Sequence, residues 1–154
     1  SEFPLDYRRD ALDRIAQLTA GQPYLTQLVG FQLVRRFNDQ VFEQRNQRDP
    51  VFTVEDVEIV TDSPEFFNRG RYYFTGVWDQ AGREVPQQQH VLQVLAPHRS
   101  GLSLKDLEKQ TQLDVATLNA ALDLLRRHDV VQVSADQVRI IVELFRCWLL
   151  RQGS

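Results

Sequence analysis

One stretch limits the possible folds of this 154-residue chain more than any other. It is Leu102 to Arg139, within GLSLKDLEKQTQLDVATLNAALDLLRRHDVVQVSADQVRI. Ser103 is placed to cap a short helix, with Asp106 three residues on in a capping-box-like position. The turn Thr111-Gln112-Leu113 leads to Asp114, a second N-cap. Leu118, Ala121, Leu122 and Leu125 then fall at i, i+3, i+4 and i+7, which predicts an amphipathic helix over Val115 to His128. After it the period drops to two. Val131 and Val133, then Val138 and Ile140, flank Ser134-Ala135-Asp136-Gln137, the pattern of a hairpin with one apolar face. Helix, turn, helix and hairpin in that order predict a helix-turn-helix with a wing.

The segments before it read as helices joined by sharp corners. Tyr7 to Thr19 puts Leu12, Ile15, Ala16 and Leu18 near one face. Ala20-Gly21 stops that helix through a left-handed residue, and Pro23 is suited to the first position of the next. This second helix is expected over Tyr24 to Asn38, with Leu25, Leu28, Val29, Leu33, Val34 and Phe37 as its apolar set. Val41 and Phe42 could extend it before a polar loop to Pro50. Thr53 with Asp56 marks a short helix, and Ser63-Pro64 marks the start of another. Phe66, Phe67, Tyr73, Phe74, Val77 and Trp78 are read as one aromatic helix reaching about Gln80 and packing on the first two. Glu55, Asp56 and Glu58 read as a solvated acidic face. Pro86 opens a helix to about Ala96. Val142, Leu144, Phe145, Trp148 and Leu149 form a closing helix, with Arg146, Arg151 and Gln152 outside. The fold expected is mainly α: a helical lid-like bundle over residues 5–80, then a winged helix-turn-helix domain with a small β-hairpin over 84–152.

Composition narrows the functions. The formal net charge is −3, so no global field draws the chain onto nucleic acid. The single Cys147 excludes an internal disulfide and suits a reducing, cytoplasmic setting. There is no apolar run long enough to span a membrane and no leader-like start, so neither a membrane segment nor a signal peptide is expected. The chain has no methionine, which suggests an excised piece of a longer parent, with Ser1-Glu2-Phe3 partly foreign to it. His90, His98 and His128 sit on three different segments, and nothing pairs them with Cys147 as a metal or nucleophile set. A half-buried thiol is the plainer reading of Cys147.

Two pieces carry a resemblance. LTAGQPYLTQLVGFQLV is similar to the segment of signal-transduction (STAND) and AAA-type, origin-recognition-like ATPases in which a Gly-x-Pro corner, then Tyr and a Leu-rich run, opens the second helix of the lid. Here the positions are Gly21, Pro23, Tyr24, Leu25 and Gln27, and Gln22 stands where histidine is common. YYFTGVW, the following helix, the winged region and VELFRCWLL resemble the winged-helix domain that trails the lid in bacterial and archaeal members. The resemblance implies that Gly21, Pro23 and Tyr24 lie near the nucleotide in the parent, and that ATP or ADP with Mg²⁺ are the parent's cofactors. The chain itself has no G-x-x-x-x-G-K-[ST] and no Walker B strand. No enzyme activity and no cofactor are therefore expected of the chain alone.

The function expected is regulatory: the lid and winged helix couple nucleotide state to contacts with the parent's own core and with a protein partner. The alternative is a DNA-binding module. Its candidate DNA-binding residues are Gln112, Thr117 and Asn119 near the start of the Val115 helix, with the basic Arg126 and Arg127 at its far end and Arg139 on the hairpin. Asp114, Asp123 and Asp136 count against it, since phosphate tracking needs several cations.

Overall fold

The computed structural model describes residues 5–45 and 47–153; Ser1-Glu2-Phe3 lie outside the described residues. Mainly helical, the chain divides into two compact units, the first ending at Arg71 and the second beginning at Tyr72.

In the first unit, α1 (Arg9–Thr19) and α2 (Pro23–Asn38) meet at the Gly21 corner. Ala11, Ile15, Leu18, Leu25, Val29, Leu33 and Phe37 are buried. Leu12 and Val34, expected inside, are 51% and 38% exposed: the inward stripe of α1 runs through Ala11 instead. Beyond α2 the chain widens into a π-turn, Asp39–Glu43, closed by Gln44 N donating to Asp39 O at 2.8 Å. β1 (Asp6–Tyr7) pairs in parallel with β2 (Val51–Phe52), Asp6 opposite Val51 and Tyr7 opposite Phe52. The ring of Phe52 is buried between Tyr7, 5.0 Å away, and Phe37, 6.2 Å away. α3 (Val54–Thr61) starts at a complete capping box between Thr53 and Asp56, and α4 (Pro64–Arg69) starts at Ser63, whose hydroxyl accepts from Phe66 N.

The aromatic segment is two helices, not one. Gly70 separates α4 from α5 (Arg71–Glu84). Phe66 and Phe67 are buried in the first unit, but Phe74 stacks on Trp148, centroids 5.9 Å apart, and so belongs to the core of the second. The aromatics were expected on one helix against α1 and α2. Their mixed spacing hid the glycine break and this division of partners.

The second unit continues with α6 (Gln87–Leu95), β3 (Leu102–Ser103), α7 (Leu104–Thr111), α8 (Val115–Arg127), β4 (Val131–Ser134), β5 (Gln137–Ile140) and α9 (Glu143–Gln152). The stripe Leu118, Ala121, Leu122 and Leu125 is buried as its period requires. The hairpin turns at Ala135 and Asp136, both with positive φ, 49° and 65°. Positive φ at both central positions matches the right-handed twist of the flanking strands. β5 is the central strand: β3 pairs antiparallel with it, Leu102 opposite Val138, giving the order β3-β5-β4. The third strand was not expected, because two residues carry no readable alternation.

Arg146 is not outside. It is 9% exposed; its Nη1 donates to Ala96 O at 2.7 Å, while Nε and Nη2 grip Glu143 at 2.7 and 2.9 Å. Burial opposes its charge, but the bonds to Glu143 hold the guanidinium firmly protonated. Among the described residues no helix is long and apolar enough to cross a membrane.

Candidate functional site

The corner between α1 and α2 is built from short polar side chains. Ala20 and Gly21 both take left-handed backbone, φ 51° and 76°. A Cβ on Gly21 would meet nothing within 4 Å, so its glycine answers to φ and not to space. The buried Thr19 hydroxyl donates to Ile15 O at 2.8 Å and accepts from Gly21 N at 3.2 Å. Gln22 N donates to Thr19 O at 3.0 Å, and the Gln22 side chain accepts from Leu25 N at 2.8 Å, capping α2. Thr26 Oγ1 donates to Gln22 O at 2.9 Å. The corner's backbone donors at 21, 22 and 25 are thus satisfied from within. What it turns outward is Pro23 and Tyr24; the latter is 44% exposed and its hydroxyl donates to Arg69 O at 3.2 Å.

Gln22 as a cap escapes sequence reading because glutamine is an uncommon N-cap. Gln22→Ala is expected to destabilise the first unit by about 1 kcal/mol. Faster amide exchange at Leu25 would register the loss.

The proposed DNA-facing residues are only partly brought together. Asn119 and Arg126 share a shallow depression with Asp123, Leu104 and Val133. Gln112, left-handed at φ 59°, sits in a separate one with Lys105, Glu108, Lys109 and Asp114. The DNA alternative leaves out both lysines, although at i, i+4 and i+7 along α7 and its C-cap they share a face with Gln112. Thr117 N is occupied by Asp114 Oδ1 at 2.7 Å, and the bonds from Thr117 hold the exposed Asp114 carboxyl below its ordinary range. A fixed negative charge there suits the helix dipole and opposes a phosphate. Arg127 is paired with Asp123 at 2.9 Å. Arg139 lies apart on β5, its Nη1 donating to Ile140 O at 3.4 Å.

A dense polar cluster gathers at Asp56, on the helix whose acidic spacing suggests a solvated face. Asp56 is 6% exposed. Its carboxylate accepts from Arg48 Nη1 at 2.9 Å and Nη2 at 2.7 Å, and from Thr53 N at 2.9 Å. Arg48 also donates to Gln40 Oε1 at 2.8 Å and Val51 O at 2.9 Å and lies over the Phe37 ring. Arg36 Nε is 3.8 Å from Asp56 Oδ1. Burial pushes the Asp56 carboxyl up, but the bonds from Arg48 and Thr53 and the charge of Arg48 outweigh it, so the group sits below its ordinary value. The helical spacing of 55, 56 and 58 gave no sign that a loop arginine eight residues back would cover one of them.

His90 Nε2 donates to Thr111 O at 3.0 Å, and His128 Nδ1 lies 3.2 Å from Gln80 Nε2. Cys147 is half-buried. Among the described residues no three His, Cys, Asp or Glu side chains form a metal-sized group. Comparison with protein-family models, curated proteins and solved structures finds no match to the chain.

Proposed function

We propose that the chain is the helical lid and winged-helix region of a STAND/AAA-type ATPase, a regulatory module that couples nucleotide state to protein contacts. The observation that carries this reading is an uncovered apolar face that starts at the corner. Tyr24, Phe31 and Val34 are 44%, 57% and 38% exposed. At 3.6 residues per turn, positions i, i+7 and i+10 fall within roughly a quarter of the helix circumference. Apolar surface gathered on one helix face favours another protein surface, here the parent's nucleotide-binding core. Pro23 and Tyr24 stand at its leading end, where the resemblance puts the nucleotide. ATP, ADP and Mg²⁺ would be bound by that core; the chain supplies no phosphate cradle of its own.

The second unit in this reading is a winged helix, with α7 and α8 as its helix pair and β4–β5 as its wing. Lys105 and Lys109 beside Gln112, and Arg126 beside Asn119, favour duplex DNA as the alternative partner. Glu108, Asp114 and Asp123 in the same depressions offset them, which is why protein contact ranks first. In a fluorescence-anisotropy titration with labelled duplex DNA, no salt-sensitive binding is expected. Binding that falls steeply from low to physiological salt would make the module a DNA reader. The natural gene tests the ATPase assignment directly: a strand leading into G-x-x-x-x-G-K-[ST] is expected ahead of Ser1. Its absence, or ATP hydrolysis by the purified chain, would overturn the assignment.

A further inference from the structure

The end of α2 carries an unassigned cavity of about 240 Å³ in the first unit. Gln32, Arg35, Arg36, Asp39, Gln40 and Glu65 are among its lining residues, so α2, the π-turn and the start of α4 all contribute. Two features set it apart from an ordinary surface cleft. Gln32 is 6% exposed, and among the described residues its Nε2 has no hydrogen-bond partner; Arg36 Nε, one helical turn on, has none there either. Buried donors are rarely left unmet, and an unmet one calls for an acceptor that the described residues do not supply. A π-turn beside them is a second mark, because such turns recur at functional positions and cost the helix regular bonding.

Charge identifies the acceptor. Arg48 already holds both oxygens of Asp56, leaving Arg36 as a second guanidinium on one carboxylate. Glu65 is likewise shared, by Arg35 at 3.0 Å and Arg69 at 3.2 Å. The charged lining itself is balanced, Arg35 and Arg36 against Asp39 and Glu65. Arg48 and Arg69, outside the lining and ion-paired to Asp56 and Glu65, bring the linked network to four guanidiniums against three carboxylates, an excess of one positive charge. We propose that this cavity binds a single carboxylate group, received by Arg36 and by the amide of Gln32. The terminal torsion of a glutamine is broad, so the Gln32 amide can turn its NH₂ towards an acceptor seated in the cavity. A carboxylate matches the excess charge and offers two oxygens to two donors. A phosphate dianion would exceed the charge and face Asp39 uncompensated.

Side-chain ¹H–¹⁵N spectra of the full chain test this, with Arg36 Nε–H and the Gln32 NH₂ group as reporters. Sodium acetate is expected to shift both signals saturably, and sodium chloride at matched ionic strength to shift neither. N-acetylglycine, which carries the carboxylate of a peptide terminus, separates the two sources. Tighter binding than acetate assigns the site to a chain end, and weaker binding to a small free acid; both support a carboxylate site. Gln32→Leu should weaken acetate roughly tenfold, the loss of one charge-assisted hydrogen bond. Arg35→Gln, at an exposed position whose ion pair with Glu65 is itself exposed, should also weaken it by removing the excess charge. No saturable shift, an equal shift with chloride, unchanged affinity in Arg35→Gln, or tighter binding of sodium phosphate than of acetate would each overturn the proposal.

Discussion

Asp56→Ala is expected to destabilise the first unit by about 3–5 kcal/mol, the range seen when one member of a buried ion pair is removed. Arg48 would be left beside Phe37 with neutral acceptors alone among the described residues, Gln40 Oε1, Val51 O and Asp49 O, and no carboxylate to balance its charge. The same change removes the acceptor for Thr53 N and with it half of the capping box of α3. Faster amide exchange across α2 and α3, or an earlier denaturation midpoint by circular dichroism, would register the loss. Asp56→Asn should cost less, since it keeps an oxygen for Thr53. The carboxyl sits below its ordinary value near 3.8 in the folded chain. Its contribution is therefore complete above that value and is lost as pH falls below it towards the depressed value. The Asp56→Ala chain should lack this part of the acid sensitivity. If Asp56→Ala unfolds at the same denaturant concentration as the unsubstituted chain, the Asp56 cluster does not stabilise the first unit.

Gly101→Ala is the second large effect, at about 3 kcal/mol in the second unit. Gly101 has φ +88°, and a Cβ there would collide with the backbone carbonyl oxygen of Val138 on the central strand. The left-handed backbone alone costs a residue with a Cβ about 1–2 kcal/mol. Forcing a β-strand carbonyl aside adds about 1–3 kcal/mol, as other overpacked sites do. The strain should break the pairing of Leu102 with Val138. Trp78 and Trp148 both lie in this unit, so tryptophan fluorescence during denaturation reads the change. Gly76→Ala is the matched control: a Cβ there meets nothing within 4 Å and φ is not positive, so α5 should be unharmed or slightly stabilised. Equal behaviour of the two variants would refute the close approach of β3 and β5.

Helix boundaries were the most legible part of the fold, because they are encoded within four residues. Thr53 and Asp56, Ser63 and Pro64, and Asp114 each announce a start that the structure contains. The Gly21-Gln22-Pro23 corner was legible for the same reason. Facts that depend on distant chain were not. Arg146 looks like a surface residue until Ala96, fifty positions earlier, offers its carbonyl. Phe74 reads as a member of one aromatic helix until Trp148 is found stacked on it. Of the candidate site residues, Asn119 and Arg126 converge as helical spacing allows, while the neighbourhood of Gln112 is set by Lys105 and Lys109 on the preceding helix. Leu12, half exposed, shows that an apolar residue near a stripe need not be in it.

The Arg48–Asp56 pair also governs how long the chain from Arg48 to β2 can be. Lengthening a flexible loop is cheap in closure entropy, only about 0.6 kcal/mol for a doubling. By that measure the segment between the π-turn and Val51 could drift freely in length. Arg48, however, must reach Asp56 while Val51 and Phe52 stay in register with Asp6 and Tyr7. An insertion between Arg48 and Val51 would break one or the other. Insertions and deletions between Arg48 and Val51 are thus restrained by electrostatics and strand register, although that stretch looks in sequence like part of an ordinary polar loop.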